Sequence, residues 1–185
     1  MRGRPKSPNT MSERPVIAVW FSCGAASAVA AKKTLERYGA THIVRVMNNP
    51  ISEEDRDNRR FLKDVERWLG CVIEQAENPK WERASARDVW EKRRFMSGPL
   101  GAPCTVELKK GARQHWEQTN HHDFLVLGFT LDEKKRHERF VQTERSNVLP
   151  VLIDAGITKA ECFEILKAAG IAVPRVYDWG YPNAN

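Results

Sequence analysis

Residues 19–27 read VWFSCGAAS. The apolar run stops at Phe21, and six small residues follow: Ser22, Cys23, Gly24, Ala25, Ala26 and Ser27. Bulk returns only at Val29. Upstream, residues 16–21 (VIAVWF) form a short continuous apolar run, which reads as a buried strand. Downstream, residues 26–38 (ASAVAAKKTLERY) have helical composition, with Gly39 as the expected C-cap. A helix start carries backbone N–H groups without partners and a partial positive charge. Small side chains let a phosphate approach those groups. Ser22 and Ser27 add hydroxyl donors. The stretch therefore reads as an anion cradle between a strand and a helix, or as a tight turn filled with small residues. It has neither the Gly-Lys-Ser/Thr of a P-loop nor a G-x-G-x-x-G.

The alternation continues along the chain. Residues 42–47 (HIVRVM) read as a second strand, stopped by Asn48, Asn49 and Pro50. Residues 53–69 read as a charged helix with Phe61, Leu62, Val65, Trp68 and Leu69 along one face. A third strand is expected over 71–75. Ser85 is placed as the N-cap of the helix ARDVWEKRRF. Residues 97–103 are turn-rich, and Cys104 leads into a helix expected to break near Gly111. Residues 123–129 (DFLVLGF) read as a strand, 132–142 as a charged segment, and 148–153 as a strand edge or start marked by Pro150. Thr158 caps a last helix that ends at Gly170. This pattern implies an α/β fold: a mainly parallel sheet with helices on both faces, a Rossmann-like α/β/α sandwich.

The 185 residues, 41% of them hydrophobic, suit one domain with its own core. Residues 1–14 read as a disordered basic arm, with Met11 as a second plausible start, and 15–185 as a single nucleotide-binding domain. No apolar run reaches the roughly 20 residues of a membrane span, and the start has no signal-like apolar core. The net charge of +6 favours anionic partners: nucleotides, phosphate esters or nucleic acid. Cys23, Cys71, Cys104 and Cys162 are scattered without a CxxC pair, so a reducing cytoplasm is expected and a metal or iron–sulfur site within this chain is not.

S-C-G-A-A-S resembles a variant of the S-G-G-x-D-S loop of PP-loop ATP pyrophosphatases. More specifically, the chain resembles the PAPS reductase and adenine nucleotide alpha hydrolase grouping, from about residue 16 to its end. The later landmarks are CTVELKK (104–110), LGFTLDEKKRHERF (127–140), LPVLID (149–154) and YDWGYPNAN (177–185). The resemblance implies that Ser22, Cys23, Gly24, Ala25, Ala26 and Ser27 hold phosphate or sulfate. It implies that Asn48 lies at the level of adenine or ribose, and that Cys104 and Lys109 form a Cys…Lys element near the site. Gly128 matches the glycine of a strand-end motif. Glu133, Arg136 and Arg139 follow in a segment that faces the nucleotide. Arg is suited to bidentate contact with phosphate or sulfate.

The expected ligand is ATP or PAPS, with Mg²⁺ if ATP. The expected chemistry is attack at the α-phosphate with release of pyrophosphate, assigned to Cys104, Lys109 and Arg136. The alternatives are a sulfonucleotide reductase, a degenerate nucleotide-binding module, and a nucleic-acid-modifying subunit. The acceptor is not specified, and a homo-oligomer is compatible with the sequence. Cys23 stands where the loop usually has glycine and Ala26 where the pyrophosphatase loop has Asp. Both substitutions bear on catalysis. Tails of the Y-x-x-G-Y type often run on into a Cys pair, so the resemblance implies a shortened C-terminus or a chain lacking that element.

Outside these motifs, Cys104 reads either as a thiol activated at a helix start or as a buried packing residue. His121 and His122 read as solvated, and His137 as a member of the charged cluster after Gly128. Trp179, beside Gly180 and Tyr181, is the best candidate for stacking on a base.

Overall fold

The computed structural model describes residues 14–99 and 101–184. The expected basic arm lies almost wholly outside these residues. Arg14, its last member, donates from Nη2 to the carbonyls of Gly39 (2.7 Å) and His42 (2.6 Å).

The first strand, β1 (Val16–Phe21), runs into α1 (Ala25–Tyr38), followed by β2 (Ile43–Asn48), α2 (Asp57–Leu69) and β3 (Ile73–Gln75). Next come α3 (Ala86–Arg93), a π-helical turn (Thr105–Lys110), α4 (Gly111–Thr119) and β4 (Phe124–Val126). A 3-10 turn (Leu131–Glu133) leads to α5 (Lys134–Thr143), β5 (Val148–Leu149), α6 (Val151–Asp154), α7 (Lys159–Ala168) and a final 3-10 turn (Arg175–Tyr177). The five strands form one sheet in the order β3-β2-β1-β4-β5, and every pairing is parallel.

Alternation along β1 divides the core between the two faces of the sheet. Ile17, Val19 and Phe21 pack with α1, with Phe61 and Val65 of α2, and with Cys162 and Leu166 of α7. Ala18 and Trp20 pack on the opposite face with Trp116 of α4, where Phe140 and Val141 of α5 join them. Trp20 meets Trp116 edge-on at 5.7 Å. The fold is thus the α/β sandwich with a parallel central sheet that the alternation implies. No helix among the described residues is long and apolar enough to cross a membrane.

Several expected boundaries move, each for a local reason. The last strand is only Val148–Leu149. Pro150 has no N–H for the ladder and instead precedes α6, its carbonyl accepting from Asp154 N at 2.8 Å. The helix expected from residue 53 starts at Asp57. Glu53 is occupied elsewhere, accepting from Ala86 N (2.7 Å) and Ser85 Oγ (2.6 Å) at the start of α3. The third strand is Ile73–Gln75 and the fourth is Phe124–Val126, both shorter than expected. Gly111 does not break its helix. The π-helical turn flows into α4 there, and Asn78 Nδ2 donates to Glu107 O at 2.8 Å. A Cβ on Gly111 would lie 2.7 Å from that same Nδ2.

The C-terminal segment is tied to the start of α2. Arg60 grips Asp57 through Nε (2.6 Å) and Nη2 (2.8 Å), and its guanidinium also donates to the carbonyls of Ala172 and Val173. Arg175 N donates to Asp57 as well, at 3.0 Å. The Arg60 hydrogen bonds come first among the causes that lower the Asp57 pKa to about 2. A depressed carboxyl pKa stabilises the fold above the unfolded value near 3.9 and ceases to do so as pH falls through the folded value. Thermal midpoints measured from pH 5 to pH 1.5 should therefore fall through the pH 4 to 2 window in the wild type. Asp57→Asn should show a lower midpoint at pH 7 and a shallower fall across that window.

Candidate anion-binding site

The strand order creates a topological switch point. From β1 the chain moves by α1 to β2 on one side, and later enters β4 on the other side. Ligands of open parallel sheets bind in the crevice at the carboxyl ends of two such strands. Residues 22–24 after β1 and 127–130 after β4 form the walls of that crevice.

The first wall is shaped by hydrogen bonds within the loop. Ser27 Oγ accepts from Ser22 N (3.2 Å) and donates to Gly24 O (2.9 Å), with Ser22 Oγ 3.4 Å away. These contacts fold the chain back so that Gly24, extended at φ −98°, serves as N-cap of α1. Among the described residues no acceptor meets the N–H groups of Gly24, Ala26 or Ser27. The Ala25 N–H donates to the hydroxyl of Tyr177 at 3.2 Å. The second wall comes very close to the first. A Cβ on Gly128 would lie 2.8 Å from Ser27 N, 3.0 Å from its Cα and 3.1 Å from Ala26 C.

Beneath the loop lies a polar cluster. Asn48, the last residue of β2, pairs in register with Phe21 and is 4% exposed. Its Nδ2 donates to Phe21 O (2.9 Å) and approaches Cys23 Sγ (3.5 Å), so the amide braces the loop. Cys23 adopts φ +57°, a left-handed conformation usually left to glycine. Burial, aided by Glu54, pushes its thiol up to about 12, against the opposing pull of Lys109 and Asn48. Cys23 is therefore a neutral thiol near pH 7, not a ready nucleophile. Lys109 Nζ lies 3.5 Å from Glu54 Oε1. Burial raises the Glu54 pKa while Lys109 draws it back. Asn58 Nδ2 completes the cluster, reaching Glu54 Oε2 (3.4 Å) and Ala184 O (3.0 Å).

The remaining expected residues are spread more widely. Cys104 is half-buried in a separate apolar group with Ile51, Trp81, Val89, Trp90 and Leu108, at the start of the turn that carries Lys109. Glu133 accepts from Thr130 N at 3.5 Å and from Arg136 Nη1 at 2.5 Å. Arg136 also lies over the Phe129 ring at 5.5 Å. Arg139 is exposed on α5. His137 is buried, edge-on to Phe129 and 3.4 Å from Val148 O, so it belongs to the packing under α5. Trp179 is 58% exposed, with the Arg175 guanidinium over it at 5.3 Å.

Glu54 and Tyr177 are the two residues that sequence reading left without a role. Glu54 sits in an acidic run just after β2, a weak signal. Tyr177 lies in a tail landmark 152 residues from Ala25, and only the folded chain brings the two together. Among the described residues no group of three or more His, Cys, Asp or Glu side chains is placed to hold a metal. The carboxylate at the loop, Glu54, is already engaged by Lys109. The donors among the described residues do not form a site for Mg²⁺ or an iron–sulfur cluster.

No family model and no curated protein matches the sequence. Solved structures do match. One is the phosphoadenylyl-sulfate (PAPS) reductase of Candida auris in its phosphate complex, with a TM-score of 0.61 over 90% of this chain and 79% of that one, at 11% identity. The chain shares the fold of that reductase. A second match is the U34-tRNA thiolase NcsA of Methanococcus maripaludis with its 4Fe–4S cluster, with a TM-score of 0.54 at 12% identity. That alignment covers 92% of this chain, which spans 59% of the thiolase. Within this fold the walls of the crevice meet backbone to backbone, with no flexible side chain to yield. Gly128→Ala should cost about 1–3 kcal/mol by overpacking. A urea midpoint that stays unchanged in that variant would contradict the close approach.

Proposed function

We propose that the protein is an adenine-nucleotide-binding enzyme of the PP-loop class, holding a phosphate or sulfate group at residues 22–27. The observation that carries the reading is the set of N–H groups on Gly24, Ala26 and Ser27, which face no protein acceptor among the described residues, at the switch point of a parallel sheet. Oriented backbone donors at a helix start stabilise an oxyanion without reorganising. Ser22 adds a hydroxyl, and Ser27, whose Oγ donates to Gly24 O and accepts from Ser22 N, holds the loop in shape. Gly128 lets the second wall close on the first. Asn48 and the neutral Cys23 thiol brace the loop from below, and Lys109, steadied by Glu54, brings a cation to the same cluster.

The reaction we favour is transfer at the α-phosphate of ATP. An acceptor nucleophile attacks phosphorus, pyrophosphate leaves, and a nitrogen or sulfur nucleophile then displaces AMP. Backbone N–H groups and Lys109 offset the charge that develops on the phosphoryl oxygens. A second reading, a PAPS or related sulfonucleotide as substrate, is favoured by Ala26, which leaves the loop without a carboxylate, and by the likeness to a PAPS reductase. In that reading a thiolate attacks the sulfur and the nucleotide leaves; burial keeps Cys23 protonated, so the thiolate is that of Cys104 or of a partner.

Calorimetric titration of ATP, AMP and PAPS, each with and without Mg²⁺, separates these readings. ATP binding together with pyrophosphate release supports the first. Preference for PAPS without metal selects the second. Ser27→Ala should weaken either ligand by about tenfold, because it removes the hydrogen bonds to Gly24 O and from Ser22 N that shape the loop. Absence of binding by all three nucleotides would overturn the proposal.

A further inference from the structure

The Tyr177 hydroxyl holds a place that packing alone does not explain. It accepts the Ala25 N–H at 3.2 Å and lies 3.3 Å from where a Cβ of Gly24 would stand, so it is at the mouth of the loop. The ring is fixed edge-on against Phe163, with centroids 4.9 Å apart. The turn that carries it is clamped as well. The Arg175 guanidinium pairs with both Asp55 oxygens, at 2.9 and 2.8 Å, and Arg175 N donates to Asp57. A phenol oxygen that accepts one hydrogen bond still has its own proton to donate. Among the described residues that proton meets no acceptor.

We propose that Tyr177 is a ligand-binding residue of the cradle, relaying the Ala25 N–H through its oxygen and donating its own proton to a phosphoryl or sulfuryl oxygen held at residues 22–27. The assignment rests on the anion-binding reading above and adds to it the C-terminal segment as a wall of the site. Accepting from the positive end of α1 polarises the O–H bond and strengthens it as a donor. Burial raises the phenol's pKa, which keeps the proton in place at neutral pH. Arg175, through its clamp on Asp55, is a positioning residue for this hydroxyl.

The test is titration of the full chain with ATP and, separately, with inorganic pyrophosphate. Wild type is compared with Tyr177→Phe, Arg175→Ala, the double variant, and Ser27→Ala as a control for the loop. Phe keeps the ring contact with Phe163, so the thermal midpoint of Tyr177→Phe should stay near wild type. Its affinity should fall about tenfold. Arg175→Ala should weaken binding less, and the double variant no more than Tyr177→Phe alone, since both act through one hydroxyl. If Ser27→Ala weakens binding while Tyr177→Phe binds as well as wild type, Tyr177 is only a structural cap and the proposal fails while the loop reading stands. Tighter binding by Tyr177→Phe would show that the hydroxyl blocks the cradle, which also overturns it. If neither anion binds wild type, both readings fall together.

Discussion

The approach of Gly128 to the backbone of Ser27 governs the geometry of this protein. At that point two loops from neighbouring strands come closer than any side chain would allow, since a Cβ would stand 2.8 Å from Ser27 N. The contact fixes where α1 begins relative to β4. It also explains why β4 is short: the chain must leave the sheet after Val126 to bring residue 128 over the first turn of α1. The crevice at the switch point, and the donors it presents, follow from that single close approach.

What the sequence made legible was the part encoded locally. The continuous apolar run of β1, the small residues after it and the Ala-rich helix that follows were readable because each depends on neighbours in the chain. So were the parallel sheet and its two covered faces. Boundaries were missed where a distant partner decides them. Glu53, expected inside a helix, instead serves the start of α3, and at Gly111 the π-helical turn passes into α4 without leaving the helix. Pro150 was noted as a strand marker, and the missing N–H ends that strand after two residues. Tyr177 and Glu54 have only weak local signals, because the first is brought to the loop by the tail and the second by a pairing with Lys109.

The two departures of the loop from the pyrophosphatase pattern acquire physical meaning in the fold. Cys23 occupies a left-handed position that glycine would take without strain, at a cost of about 1 kcal/mol. Its thiol offsets part of that by filling the space over Asn48. Ala26 leaves the loop without a carboxylate of its own, and the charges found nearby are the Lys109 ammonium and the Glu54 carboxylate it pairs with. In the proposed reading, backbone dipoles and the half-buried Lys109, paired with Glu54, are what the loop offers to negative charge.

The most direct test of the account is an amide ¹H–¹⁵N correlation spectrum of the labelled protein recorded during titration with ATP. The largest shifts should fall on Gly24, Ala25, Ala26, Ser27 and Gly128, saturating together with one affinity. Shifts confined to other parts of the sheet or to α3, with the residues 22–27 and Gly128 unmoved, would contradict it.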